Sequence, residues 1–334
     1  LYKLGEMSKE GLDKAREKIS SFLGCASEEI IFTSGGTESN NMALKGVLSS
    51  GDHVIVSKIE HDSVLKVCSA LEKEGVEVST IGVDKEGFVN MDELSSAFKD
   101  NTKLVSVMHA NNEIGVIQDI DAIGKVCHEK GVLFHTDAVQ SFCKVKIPLE
   151  NVDFVSISAH KIHGPKGVGA LYVKKGVKIK ALIEGGGHEF GLRSGTENVP
   201  SIVGFGEAVK DMKIAVVKLR DKIIESVLKI EGSWLNGSKG KRLPNNAHFG
   251  FKNIEGEALV LKLDENGIMT STGSACSSKS LEPSHVLIAL GLNKADAHGS
   301  LRITLSEYTK EEDVDRLLET LPKCVEELRS SRAK

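Results

Sequence analysis

The chain has 334 residues, 40% of them apolar and 27% charged, and a net charge of −4 at neutral pH. That length supports a large core and most naturally two domains. The mild negative charge without a basic stripe argues against nucleic acid, no apolar stretch approaches the roughly 20 residues of a membrane span, and the start carries no cleavable signal.

From Ile30 to about Val173 short apolar runs alternate with amphipathic segments. The runs are Ile30–Thr33, His53–Ser57, Glu77–Ile81, Leu104–His109, Val132–Thr136, Phe154–Ser158 and Gly169–Val173. Helical patterns lie between several of them, at Asp62–Lys73, Asp92–Phe98 and Ile120–Lys130. Strands alternating with helices predict an α/β fold with a mostly parallel sheet covered on both faces. A long helical stretch from Val199 to about Ile230 leads into the polar loop Gly232–Asn246. The domain boundary is placed there, giving a large domain over 1–235 and a smaller one over 236–334. The smaller domain reads as α+β: strand Ala247–Lys252, helices Glu255–Glu265 and Pro283–Leu290, strand Ser300–Leu305 and helix Lys310–Leu328.

Polar residues recur at the ends of these predicted strands, where α/β sheets gather their ligands. After Ile30–Thr33 comes SGGTES (34–39), opening a helix through Leu48. Glycines there admit an anion to a helix start, although a capped helix after a tight turn would look the same. After the second run comes KIEH (58–61), whose His61 could stack on a flat cofactor or be a structural histidine. The fourth run leads to NNEIG (111–115), with amides for directional bonds or for a turn. The fifth leads to Asp137 and Gln140; a buried carboxylate there needs a cation, either a protonated pyridine nitrogen or a Lys or Arg. The sixth leads to SAHKIHGPKG (158–167), where Lys161 is either a solvated loop lysine or placed to be partly desolvated and to form a Schiff base with a carbonyl cofactor.

Three further features lie downstream. The loop Gly185–Glu189 running into Arg193–Thr196 is too polar for a core and faces a ligand or a subunit. Arg302 in SLRI is either paired on a solvated face or aimed inward at a carboxylate. Six cysteines form no CxxC pair and no zinc spacing, so no metal is expected and the thiols fit a reducing cytosol. Cys68 and Cys127 sit on helix faces and read as buried and inert. Cys276, in STGSACSS (271–278), sits among small polar residues and is the candidate nucleophile.

In this order, SGGTES, KIEH, NNEIG, HTDAVQS, SAHKIHGPKG, GGGHE, RSGT, TGSAC and SLRI, the chain resembles the group I cysteine desulfurases of the NifS/IscS kind. These are class V aminotransferase-like enzymes that use pyridoxal 5′-phosphate on the fold type I scaffold. The resemblance covers essentially the whole chain. It implies that Lys161 holds the cofactor as a Schiff base, Asp137 pairs with the pyridine nitrogen and His61 stacks on the ring. Gly36, Thr37, Ser158 and His160 would hold the phosphate, with Thr196 reaching in from a partner subunit of a homodimer. Asn112 and Gln140 would lie near the ring hydroxyl, and Asn112 near the substrate too. Arg302 would bind the substrate carboxylate, His61 would carry protons, and Cys276 would take sulfur from L-cysteine as a persulfide, leaving alanine. The implied partners are L-cysteine and a sulfur-acceptor protein such as an iron–sulfur scaffold, in the cytoplasm. Selenocysteine lyase or an aminotransferase of the same fold are the alternative activities. The family's opening stretch, ahead of the helix that starts here near Gly11, has no counterpart before Leu1, and Glu184 and Phe190 stand where relatives commonly carry histidine and arginine.

Overall fold

The computed structural model describes residues 2–210, 215–273 and 282–332. Helix α1 (Lys3–Leu23) comes first. Its inward face is Ala15, Arg16, Ile19, Ser20 and Leu23, and it stops at Gly24, whose φ of 78° lets the N–H return to the Ser20 carbonyl. There follow β1 (Ile30–Thr33), α2 (Gly36–Val47), β2 (His53–Ser57), α3 (Asp62–Lys73), β3 (Glu77–Ile81), α4 (Met91–Ala97) and β4 (Thr102–Ser106). Then come α5 (Ile120–Glu129), β5 (Leu133–Asp137), β6 (Phe154–Ser158) and β7 (Gly169–Val173). The remaining elements are α6 (Val199–Ala208), α7 (Ala215–Val227), β8 (Ser233–Leu235), β9 (Asn246–Phe251), α8 (Gly256–Glu265), α9 (His285–Ala289), α10 (Lys294–His298), β10 (Ser300–Thr304) and α11 (Glu311–Arg332).

Seven strands form one sheet in the order β1-β7-β6-β5-β4-β2-β3. The pairs among β2 to β6 are parallel, while β7 runs antiparallel to both β1 and β6. The parallel strands β2 and β6 are buried along their whole length, as a sheet covered on both faces requires. Helix α3 shows the matching pattern, burying Val64, Val67, Cys68 and Leu71. Strand β4 begins and ends earlier than the apolar run predicts, and β5 runs one residue further than expected, so Asp137 is its last residue.

The chain divides into two compact units. The first is Leu1–Ile81, Asn90–Ala110 and Gln118–Asp211; the second is Gly82–Val89, Asn111–Ile117 and Met212–Lys334. The second unit holds the three-stranded antiparallel sheet β10-β9-β8. It also claims α7, which the sequence pattern places with the large domain, because Val216, Ile223, Ile224 and Val227 pack with Phe249, Phe251, Leu301 and Leu321. Within the polar loop expected over 232–246 lies β8, joined to β9. Among the described residues no helix is long and apolar enough to cross a membrane.

Candidate active site

The first unit gathers most of the expected residues at the carboxyl ends of β1, β2, β5 and β6. Gly35, at φ 150°, adopts a conformation that L side chains rarely take. A Cβ on Gly36 would stand 2.6 Å from Cγ2 of Val139 and 3.8 Å from Cβ of Ser158. The start of α2 is therefore backbone pressed against the residues that follow β5 and end β6, with Thr37 exposed on its first turn. Ser158 Oγ lies 2.8 Å from Nδ1 of His160. Burial, then the cations of Lys161, Lys166 and Lys144, hold the His160 imidazole below its usual range, so the ring is neutral at pH 7. Arg193 of RSGT pairs with Glu38 in the first turn of α2, Nε to Oε1 at 2.8 Å. Thr196 lies exposed three residues further on.

Asp137 is 5% exposed, and among the described residues no lysine or arginine forms an ion pair with it. Its Oδ1 accepts the Val139 N–H at 3.0 Å and its Oδ2 accepts from Asn40 Nδ2 at 2.8 Å. Burial pushes its carboxyl up, against the pull of Asn40, Val139, His61 and Lys161. Asn40 Nδ2 also donates to Ser63 Oγ at 2.8 Å, and Ser63 Oγ lies 2.8 Å from His61 Nδ1. Because His61 Nδ1 accepts the Ser63 N–H at 3.1 Å, capping α3, the ring proton belongs on Nε2. One amide thus ties the carboxylate to the imidazole. Asn40 was not expected from the sequence; its signal is the position on the second turn of α2, facing the strand ends.

Lys161 lies in the short turn Ala159–Ile162 after β6 and is solvent-exposed rather than partly desolvated. The turn carries it past the buried strand end, and the apolar positions flanking it, Ala159 and Ile162, are the ones that point inward. Gln140 is half-buried, and its carbonyl accepts from Lys144 Nζ at 2.8 Å. Burial, and then the Lys161 charge, bring Lys144 down to about 8. Lys144 is thus a second amine of low basicity here.

In the second unit Arg302 lies in mid-strand, half-buried, and donates through Nη1 to the Asn112 carbonyl at 2.9 Å. Asn112 and Arg302 are therefore brought together. His248 stands opposite Arg302 in the β9–β10 register, and burial with the charges of Arg302 and Arg242 pushes it down to about 3. Cys276 lies outside the described residues. Burial pushes the thiols of Cys25, Cys68 and Cys127 up to about 12, which makes them poor nucleophiles. The loop 185–189 departs from its expected outward role at one residue. Gly185–Gly187 are exposed, but Glu189 turns inward and takes a bidentate grip from Arg16, at 2.8 and 2.7 Å.

Glu60, next to His61, is fully buried; Ser57 Oγ and the Met108 N–H both donate to its Oε1, at 2.5 and 2.8 Å. Burial pushes it up to about 8 from an ordinary 4.5. The folded state keeps a proton that the unfolded chain releases, so stability falls as pH rises from 4.5 to 8 and the penalty is complete above that. Glu60→Gln is expected to remove this slope. Its stability advantage should be near zero at pH 4 and grow to a few kcal/mol, about the value set by the shift, at pH 9. Urea midpoints of both proteins at those two pH values check it, and a constant difference would contradict the assignment.

These residues fit pyridoxal 5′-phosphate. A buried carboxylate with no ion-paired lysine or arginine among the described residues suits a protonated ring nitrogen, and the side-chain-free start of α2 beside Ser158 suits a phosphate. The Aminotransferase class-V family profile matches residues 1–317. A cysteine desulfurase IscS of Dictyoglomus turgidum is 48% identical over 344 aligned positions, covering 99% of this chain and 87% of its own. A solved NifS-like protein superimposes with a TM-score of 0.89 at 38% identity, covering 97% of this chain and 90% of that one. A structure of SspA in complex with cysteine gives a TM-score of 0.83 at 37% identity, covering 93% and 91%. The chain belongs to the class-V aminotransferase family and, within it, to the pyridoxal-phosphate-dependent cysteine desulfurases of the NifS/IscS kind.

Proposed function

We propose that this chain converts L-cysteine to L-alanine and accepts the sulfur on Cys276 as a persulfide, for delivery to an iron–sulfur scaffold or another acceptor protein. The observation that carries the reading is Asp137: a buried carboxylate that forms no ion pair with a lysine or arginine among the described residues, tied through Asn40 and Ser63 to His61. When bound, pyridoxal 5′-phosphate supplies an electron sink for charge that develops at the substrate α-carbon. Asp137 would hold its ring nitrogen, His61 would lie against the ring, and Asn112 and Gln140 would address its hydroxyl. Gly36, Thr37, Ser158 and His160 would hold its phosphate, with Thr196 contributed across a homodimer. Lys161 would hold it covalently.

Lys161 Nζ, once released as a free amine, takes the proton from the substrate α-carbon. Arg302 orients the substrate through its carboxylate, with Asn112 beside it. His61, whose proton sits on Nε2, moves a proton between substrate and thiol. Cys276 Sγ, as thiolate, bonds to the substrate sulfur as the carbon–sulfur bond breaks. The electron pair of that bond stays on carbon, which is then protonated to give alanine. A cytoplasmic location fits the free thiols.

Cys276→Ala is expected to lower sulfide release from L-cysteine by roughly 10²-fold or more, with the cofactor's visible absorbance unchanged. Parent-rate sulfide release from that variant would remove Cys276 from the reaction.

A further inference from the structure

The sequence leaves two uses open for the asparagines of NNEIG (111–115), and the structure divides them. Asn111 makes the turn: its Oδ1 accepts the N–H groups of Glu113 and Ile114, both at 2.9 Å, and its carbonyl accepts the Gly115 N–H at 3.0 Å. Asn112 is half-buried, while the other residues from 111 to 116 are buried. The turn therefore presents one side chain, and its neighbours hold that side chain in place. The carbonyls of the turn are gripped one after another by other residues of the second unit. That of Asn112 accepts from Arg302 Nη1 at 2.9 Å, and that of Glu113 from Asn246 Nδ2 at 3.0 Å. That of Ile114 accepts from Arg242 Nη2 at 2.9 Å, and that of Gly115 from the Leu243 N–H at 2.8 Å.

Arg242 is the unusual member of this grip. It is 4% exposed, and among the described residues its Nε and Nη1 have no hydrogen-bond partner. Burial, and then the charge of Arg220, bring it down to about 10. A buried cation with unfilled donors costs stability. What it supplies is a bridge, because the Nη2 that holds Ile114 also donates to the Asn236 carbonyl at 2.8 Å. The Asn236 amide oxygen accepts from Trp234 Nε1 at 2.8 Å, which turns its Nδ2 to His248 Nδ1 at 2.9 Å. His248 in turn stands across from Arg302. One guanidinium nitrogen thus braces both the turn that presents Asn112 and the row of side chains that ends at Arg302.

We propose that Arg242, with Asn246 beside it, is a positioning residue for substrate recognition, fixing Asn112 and Arg302 relative to each other through the carbonyls of the 111–115 turn and of Asn236. The inference rests on Arg302 being the ligand of the substrate carboxylate, with Asn112 next to it. A guanidinium recognises a carboxylate by a fork of fixed geometry, so its worth depends on being held in place before the ligand arrives. Loosening the brace therefore weakens recognition of the carboxylate and leaves recognition of the amine as it was.

The test is a titration of the holoenzyme with L-alanine and with ethylamine, the same amine without the carboxylate, followed by the cofactor's visible absorbance. The parent protein is expected to bind L-alanine more tightly than ethylamine. Arg242→Met should weaken L-alanine binding by roughly 10- to 100-fold and Asn246→Ala by roughly 3- to 10-fold. Ethylamine binding should stay within about twofold in both. Asn246→Ala removes no charge, so it keeps the question open to measurement if Arg242→Met does not fold. Deuterium uptake of the peptide spanning 111–117, measured on the cofactor-free chain, should rise in both variants. An undiminished preference for L-alanine in both variants, or unchanged uptake at 111–117, would overturn the brace alone. Equal weakening of the two ligands would overturn it in favour of a general structural role. A parent protein without preference for L-alanine over ethylamine would instead sink Arg302 as the carboxylate ligand, and the brace's role with it.

Discussion

Asparagine in place of Asp137 is expected to cut turnover by roughly 10²-fold or more while making the cofactor-free protein more stable. The two effects have one cause. Asp137 is 5% exposed and no lysine or arginine among the described residues forms an ion pair with it. Burial raises its carboxyl above the ordinary 3.8. The folded chain therefore binds a proton more tightly than the unfolded one, and stability is lost as pH rises above the ordinary carboxylate range. A neutral amide of the same shape escapes that loss, so its advantage is present at pH 7 and absent near pH 3. It also cannot offer charge to a protonated ring nitrogen. Denaturant midpoints of the cofactor-free proteins at pH 3 and 7, set beside turnover of the loaded ones, measure both. Undiminished turnover would show that the carboxylate does not serve the ring nitrogen.

Replacing Glu189 with alanine is expected to destabilise the protein by about 3–5 kcal/mol. Arg16 is 7% exposed and Glu189 6%, and the guanidinium grips both carboxylate oxygens. Glu189 also accepts the Phe32 N–H at 2.8 Å, and Arg16 lies over the rings of Phe32 and Phe190 at 4.6 and 5.2 Å. Removing the carboxylate strands a buried cation and a strand amide together. Glu189→Ala combined with Arg16→Met should recover part of the loss, because the stranded charge goes too. Loss of under about 1 kcal/mol in the single variant would mean that solvent reaches the pair.

Five of the seven sheet strands lie where the apolar runs end and begin; four of them, β1, β2, β6 and β7, are buried along their whole length and have no polar position to blur their edges, whereas β3 at the sheet edge is largely open. Helix α1 begins at Lys3 rather than near Gly11, and its extent is hard to read from apolar spacing because its buried stripe includes Arg16 and Ser20, which a hydrophobicity pattern counts as surface. The same arginine explains why the GGGHE loop looks wholly outward from sequence: its partner is 173 residues away. Strand-end placement made Asp137, His61, Ser158 and Gly36 legible, as their positions follow from the sheet. Asn40 and Ser63 were not legible, since nothing local distinguishes a helix asparagine that bridges a carboxylate from one that faces water. Lys161 stands exposed on the turn after β6, the solvated one of its two sequence readings, because a flanking buried strand says nothing about which way the next turn directs a side chain. The unit boundary fell earlier than composition suggests because α7 is apolar on the face that meets β9, whereas the polar loop after it is only a connection.

The second unit is assembled from three separate stretches, and the early ones are woven into it. The Ile117 N–H bonds the Lys241 carbonyl at 3.0 Å, the Leu243 N–H bonds the Gly115 carbonyl at 2.8 Å, and the Ser238 N–H bonds the Glu86 carbonyl at 2.8 Å. On the ribosome, residues 82–89 and 111–117 emerge long before their bonding partners exist, and must wait uncommitted until more than a hundred further residues have been added. A gene fragment encoding 212–334 alone would accordingly yield a chain with vacant backbone partners at Ser238, Lys241 and Leu243, so this half cannot be excised by cutting at a single point.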